Sequence, residues 1–61
     1  MNNFAESDVR IAENLGGMAY IEGGRTIDNP YDEFEEGELF QAWLHGYELE
    51  EEFWLKKQKE S

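Results

Sequence analysis

The chain has 61 residues, no cysteine, one histidine and a net charge of -10, with 15 Asp and Glu residues against 5 Lys and Arg. So large an excess of acid repels phosphate and anionic lipid, which disfavours direct binding to nucleic acid or membrane and favours a basic host protein as partner. No disulfide framework and no His/Cys zinc site is possible, and a single domain of this length is marginally stable alone.

Aromatic residues make up 15% of the chain. Each can bury roughly 150 to 250 Å² on folding, which a disordered acidic tail would not need. No apolar run approaches the roughly 18 residues of a membrane span, and the first residues lack the basic and apolar regions of a signal peptide. We therefore predict one folded domain, residues 1–61, in the cytoplasm, or in the host cytoplasm if the protein is phage-encoded.

A first helix is predicted over about residues 7–22, with Asn3 or Ser7 as its N-cap and the pair Gly23-Gly24 as its stop. Apolar residues recur at helical spacing at Val9, Ile11, Ala12, Leu15, Met18, Ala19 and Ile21. One stripe of the helix consists of small residues, which let another backbone come close. The stripe is Ala12, Gly16, Ala19 and Gly23. It predicts a seam for packing a second helix.

Residues 24–32 form a predicted connector, in which Pro30 pushes Asn29 out of the helical region and turns the chain. Asp28 and Asn29 are turn formers, and Asp32 can cap the helix that follows. A calcium loop is not favoured, because counting from Asp28 places Glu33 where the loop needs glycine. We expect no metal and no cofactor.

A second helix is predicted over about residues 33–59. Its apolar positions are Leu39, Phe40, Trp43, Leu44, Tyr47, Phe53, Trp54 and Leu55. Acids at its start and lysines at its end agree with the helix dipole. Gly37 and Gly46 each cost roughly 1 kcal/mol inside a helix, so each suggests close packing, a break or a later start. The fold class is all-α, a two-helix hairpin joined by an Asn-Pro-Tyr turn.

The apolar positions of the second helix cover a wider arc than one short helix can bury, and Phe53 and Trp54 lie beyond its reach. Exposed aromatic patches mark contacts. We therefore expect the protein to self-associate, as a homodimer, or to offer an aromatic-anchored partner site.

A spaced pattern runs from Gly16-x-x-Ala19-x-x-x-Gly23 through Asn29-Pro30-Tyr31 to Trp43-Leu44-x-Gly46-Tyr47. It resembles the pattern of the ribosome modulation factor family and its small relatives in bacteria and phages, over about residues 12–48. The stretch between the Pro-Tyr turn and the Trp is longer here than in that family. The resemblance implies a pair of helices in which the motif residues serve the fold.

The factor after which this family is named is a basic protein that binds the ribosome and helps to inactivate it in resting cells. This chain departs from it in charge, since only Arg10 and Arg25 are basic before the C-terminal tail. Stacking of bases on Tyr31 and Trp43 would need an electropositive surround that the chain lacks. The resemblance therefore gives poor support to contact with rRNA.

Catalysis is not expected. Pairs of carboxylates arise by chance in so acidic a chain, and a short chain has little room for a pocket that excludes water. His45 has no cysteine to act with, and no phosphate loop, dinucleotide fingerprint or metal motif is present. We interpret His45 as an exposed or packing residue.

The function that the sequence favours is that of a small acidic inhibitor or adaptor, which mimics nucleic acid and blocks a basic nucleic-acid-binding surface of a host protein, as an anti-defence protein of a phage would. The alternative is a translation or stress factor, similar to the ribosome modulation factor, that acts on the ribosome through protein contacts. The candidate partner-binding residues are Glu35, Glu36, Glu38, Glu48, Glu51, Glu52, Phe53 and Trp54.

Overall fold

The computed structural model describes residues 4–60, which form two α-helices and one short 3-10 turn. Helix α1 spans Glu6–Ile21, the 3-10 turn spans Thr26–Asp28, and helix α2 spans Gly37–Glu60. No strand occurs in the described residues, and α1 packs against α2. This confirms the predicted all-α fold of two packed helices.

The contacts between the helices advance in the same direction along both. Gly16 lies against Trp43, and Tyr20, one turn further along α1, meets Tyr47, one turn further along α2. The connector then returns the chain to the beginning of α2, and it is bonded to α2 on the way, first at Tyr47 and then at Phe40.

Helix α1 ends as predicted at the two glycines. Gly23 has a φ of 86°, a left-handed conformation that glycine adopts without strain. The N–H of Gly23 donates to the carbonyl of Tyr20 at 3.1 Å, and the N–H of Gly24 donates to the carbonyl of Ala19 at 2.7 Å. This pair of bonds is the Schellman arrangement, which satisfies carbonyls at a helix end.

The start of α1 corrects the predicted N-cap. Ala5 holds the N-cap position with no side-chain hydrogen bond, and Ser7 lies inside the helix. Asn3 lies outside the described residues. The acids Glu6 and Asp8 occupy the first turn, where the dipole favours negative charge.

The predicted turn at Asn29-Pro30-Tyr31 is fixed on α2 by one amide side chain. The Nδ2 of Asn29 donates to the carbonyl of Phe40 at 3.1 Å, and its Oδ1 accepts the N–H of Tyr31 at 3.0 Å. Asn29 has φ -54° and ψ 119°, outside the helical region that the following proline disfavours. Tyr31 is thereby placed against the core.

Helix α2 begins at Gly37, which corrects the predicted boundary at residue 33 and agrees with the later start that Gly37 suggested. The Oδ1 of Asp32 accepts the N–H groups of Phe34 and Glu35 at 2.8 and 2.7 Å. These bonds close a turn over residues 33–36, because a capping carboxylate satisfies backbone donors that would otherwise need the next helical turn.

The pKa of Asp32 is lowered from 3.8 by the hydrogen bonds from the backbone of Glu35 and, second, of Phe34. A carboxylate whose pKa falls on folding contributes stability above its unfolded pKa, and that contribution is lost as the pH falls through the folded value. We expect an NMR titration to give Asp32 a pKa below 3.8, and the stability difference between wild type and Asp32→Asn to disappear at still lower pH. A pKa at or above 3.8 would contradict the turn.

The core lies between α1, the start of α2 and the connector. Its buried apolar residues are Ala12, Leu39, Ala42 and Trp43. The partly buried side chains of Phe4, Val9 and Tyr31 pack against it.

An aromatic layer continues the core toward the end of α1. The ring of Trp43, only 2% exposed, stacks on that of Tyr47 at 5.6 Å and 15°. The ring of Tyr20 meets Tyr47 edge-on at 5.4 Å. Both geometries are favourable for aromatic pairs. Trp43 therefore lies in the core of the fold.

The helices cross at Gly16 and Gly46, in a reciprocal contact. A β carbon at Gly16 would overlap the carbonyl oxygen of Trp43, and one at Gly46 would overlap the carbonyl oxygen of Glu13. The stripe of small residues is therefore a packing seam at Ala12 and Gly16, whereas Gly23 ends the helix. Because α2 continues unbroken through Gly46, close packing is the reason for that glycine.

Tyr47→Phe tests the attachment of the connector to α2. The hydroxyl of Tyr47 donates to the carbonyl of Gly24 at 2.8 Å. We expect its loss to lower the free energy of unfolding by about 0.5 to 1.5 kcal/mol, the usual net value of such a bond. The control is Tyr20→Phe, since the Tyr20 hydroxyl makes no hydrogen bond within the described part of the chain. Equal urea midpoints for the two variants would contradict the role of the bond.

Candidate protein-binding surface

The last turns of α2 project beyond α1. Over residues 51–59 the side chains of α2 are exposed, apart from that of the half-buried Glu51. The molecule is elongated, with extents of 46 × 21 × 14 Å. We call residues 51–59 the projecting segment.

Phe53 and Trp54 form an exposed aromatic pair on the projecting segment. Their rings meet edge-on at 5.7 Å, and the Nζ of Lys57 lies 5.4 and 5.9 Å from the two ring centroids, within cation–π range. The Nε1 of Trp54 donates to Glu50 Oε1 at 2.9 Å. These contacts within one helix hold the pair while leaving Phe53 51% and Trp54 40% exposed.

Glu48, Glu51 and Glu52 lie within about one turn of one another on α2. Residues three or four apart on a helix have β carbons about 5 to 6 Å apart. Glu48 and Glu52 are exposed and Glu51 is half-buried. Within residues 4–60, none of the three forms an ion pair. We call these three residues the acidic row.

The other predicted acidic cluster lies at the beginning of α2. The structure does not join it to the acidic row, because 10 or more residues of helix at 1.5 Å each separate them, about 15 to 20 Å. Glu36 is half-buried and its Oε1 accepts the N–H of Asp32 at 3.1 Å, so its carboxylate caps the turn. Glu35 and Glu38 are exposed.

An open apolar groove of about 490 Å³ lies beside the helix crossing, and sequence reasoning missed it. Met18 and Ile21 of α1 form one wall, Leu49 of α2 contributes to the other, and Gly17 and Gly46 line it between them. One signal could have indicated it. Gly17 follows Gly16 directly, and only one residue of that pair can face the crossing.

Large apolar side chains are widely exposed on this protein. The accessible surface is 4857 Å², whereas a compact monomer of 7.2 kDa exposes about 4,100 Å². The exposed residues are Ile11, Leu15, Met18, Ile21, Ile27, Phe34, Leu49, Phe53, Trp54 and Leu55. Surface of this kind favours association with another protein, while the predicted self-association stays a prediction.

His45 joins the two helices at the surface. Its Nδ1 lies 2.7 Å from Glu13 Oε2, and both side chains are well exposed. Among the described residues no three His, Asp or Glu side chains are grouped as metal ligands would be. Neither described helix combines the length and apolarity that crossing a bilayer requires.

No protein-family model, no curated protein and no solved structure matches this chain. The resemblance to the ribosome modulation factor family therefore stays a prediction. The proposed function rests on the geometry of the surface.

Proposed function

We propose that this protein is a small inhibitor or adaptor that binds a basic, nucleic-acid-binding surface of another protein. The acidic row carries the proposal, because Glu48, Glu51 and Glu52 lie together on α2 without ion pairs among the described residues. The net charge of -10 surrounds the row with a field of the same sign.

The spacing of the row suits a surface that binds a nucleic-acid backbone. The β carbons of Glu51 and Glu52 each lie about 5 to 6 Å from that of Glu48, which groups three negative charges on one side of α2 as phosphates are grouped along a backbone. Phe53 and Trp54 follow the row in sequence but lie at other angles around α2, about 100° per residue, so they can anchor a partner that also wraps around the projecting segment. On binding, the partner releases the phosphate backbone and contacts α2 in its place.

Replacing Glu48, Glu51 and Glu52 together with Gln tests the proposal. The change removes three charges at nearly constant shape, and we expect affinity for the basic partner to fall about ten-fold or more at low salt, with less effect at high salt. The partner is first captured from lysate and identified by mass spectrometry. Binding of the purified pair, and displacement of nucleic acid from the partner, are then measured.

The matched control removes the same number of charges elsewhere, by changing Asp8 to Asn and Glu22 and Glu33 to Gln. All three are exposed and none belongs to the acidic row. Equal losses in the two variants would show that net charge alone acts and would contradict the row as the site. Unchanged affinity in both would contradict the mimicry of nucleic acid.

Cosedimentation distinguishes the proposal from action on the ribosome. We expect no association with ribosomal particles at physiological salt. Association that survives that salt would favour the alternative of a translation factor that acts through ribosomal protein contacts.

A further inference from the structure

No residue of the acidic row lines the groove beside the helix crossing. Met18, Ile21 and Leu49 leave about half or more of their surface exposed there, at 52, 60 and 48%. The groove has a volume of about 490 Å³ and is open to solvent. Exposed apolar side chains grouped in this way indicate contact with another molecule.

Gly17 keeps the groove open, and the packing of the helices does not require it. A β carbon there would lie 3.5 Å from Glu50 Oε2 and from the carbonyl oxygen of Gly46, which is ordinary contact. A β carbon at the neighbouring Gly16, by contrast, would overlap the carbonyl oxygen of Trp43. Glycine weakens a helix, so its presence at position 17 favours a purpose outside the fold. The missing side chain leaves room in the groove.

The charged residues that line the groove indicate what kind of ligand it binds. Glu13 and Glu50 line the groove, and among the described residues no lysine or arginine does. A second copy of this chain would bring a further charge of -10, which opposes self-association through this face. A ligand with apolar residues on one side and basic residues beside them complements both the walls and the carboxylates.

We infer that the groove binds an amphipathic helix of the partner, with apolar anchors one turn apart and flanking Lys or Arg. A trough between two helices is the form of site that takes such a helix, through residues at i, i+3 or i+4 and i+7. The inference rests on the proposed function and adds a second, apolar contact to it. Specificity then comes from the groove, because an acidic row alone attracts any basic surface.

A pair of synthetic peptides tests the inference directly. One is a capped helical peptide with Leu at i, i+3, i+4 and i+7 and Lys elsewhere. The other has the same composition, with the Leu residues scattered around the helix. We expect the first to bind more tightly than the second at physiological salt, by about ten-fold or more. We also expect it to shift the NMR signals of the Met18 and Leu49 methyl groups.

Two double variants locate the binding. Ile21→Gln with Leu49→Gln changes both walls of the groove, and we expect a loss of about ten-fold or more in affinity for the first peptide. Ile11→Gln with Leu15→Gln removes the same residue types at exposures of 54 and 41%, outside the groove, and should change little. Gly17→Ala strengthens α1 yet narrows the groove, so it should weaken binding without unfolding.

The possible failures are distinguishable. If both peptides bind equally, or the groove variant binds as the wild type does, the inference fails and the charge-based function stands. If neither peptide binds even at low salt, the proposed function fails as well. Shifts of Met18 and Leu49 that depend on protein concentration alone would show that a second copy fills the groove, and would overturn the inference.

Discussion

Gly16→Ala is expected to destabilise the protein by roughly 3 kcal/mol or more, beyond the usual range for overpacking. The added methyl group would overlap the backbone carbonyl of Trp43, which cannot rotate away as a side chain can. The helices must separate, and the core beside the crossing loses contact. Gly46→Ala should have a similar effect, because its methyl group would overlap the carbonyl of Glu13.

Gly17→Ala is the matched control for this prediction. It is the next residue of the same helix, and its β carbon has space. Exchanging glycine for alanine inside a helix stabilises by up to about 1 kcal/mol, so we expect stability to hold or rise. Urea unfolding followed by circular dichroism compares the two. Equal midpoints for Gly16→Ala and Gly17→Ala would mean that the helices do not cross at Gly16.

The two crossing glycines should also be coupled. Once Gly16→Ala has separated the helices, the overlap at Gly46 is already relieved, so Gly46→Ala should cost less in the double variant than alone. Additive losses would indicate two independent contacts in place of one reciprocal crossing.

Trp43→Ala is expected to lower the free energy of unfolding by about 3 to 5 kcal/mol. The ring is buried, it stacks on Tyr47, and its loss leaves a cavity that few other core residues can fill. A protein of 61 residues has a total stability of about 3 to 9 kcal/mol at typical values per residue. The loss equals the whole stability at the lower end of this range and about half or more in the middle of it, so the urea midpoint should fall steeply.

Trp54→Ala provides the control for Trp43→Ala, since it removes the same ring from an exposed position on the same helix. We expect it to keep the helical content and nearly all the stability. A Trp43→Ala variant with an unchanged urea midpoint would refute the central place of Trp43 in the core. A large loss in Trp54→Ala would show that the projecting segment is packed in solution.

Part of the fold could be predicted because its causes are local. Trp43, the Asn29-Pro30-Tyr31 turn and the glycine stop of α1 are recognisable from residue types and spacing. The start of α2 was misplaced, because the acids after Asp32 suit both a helix and a capped turn. Only the bonds from Phe34 and Glu35 to Asp32 decide between them.

The candidate site was less predictable, because a site depends on which faces the partner helix covers. Phe53 and Trp54 were predicted to lie beyond the reach of α1, and helix length alone suffices for that. Met18 and Ile21 belong to the same helical pattern as Ala12, and nothing local shows that α2 buries Ala12 and leaves them exposed. No local pattern indicated that the Glu36 carboxylate would accept the N–H of Asp32 and cap the turn.

The sequence by itself determined the charge of this protein, its helical class and the end of α1 at Gly23, because these follow from composition and from bonds between neighbours along the chain. Tertiary structure alone decided that α1 and α2 cross at Gly16 and Gly46, and that Gly17 opens a groove. These features depend on contacts between residues far apart in the chain. Three identical glycines differ only in the backbone that lies opposite each one.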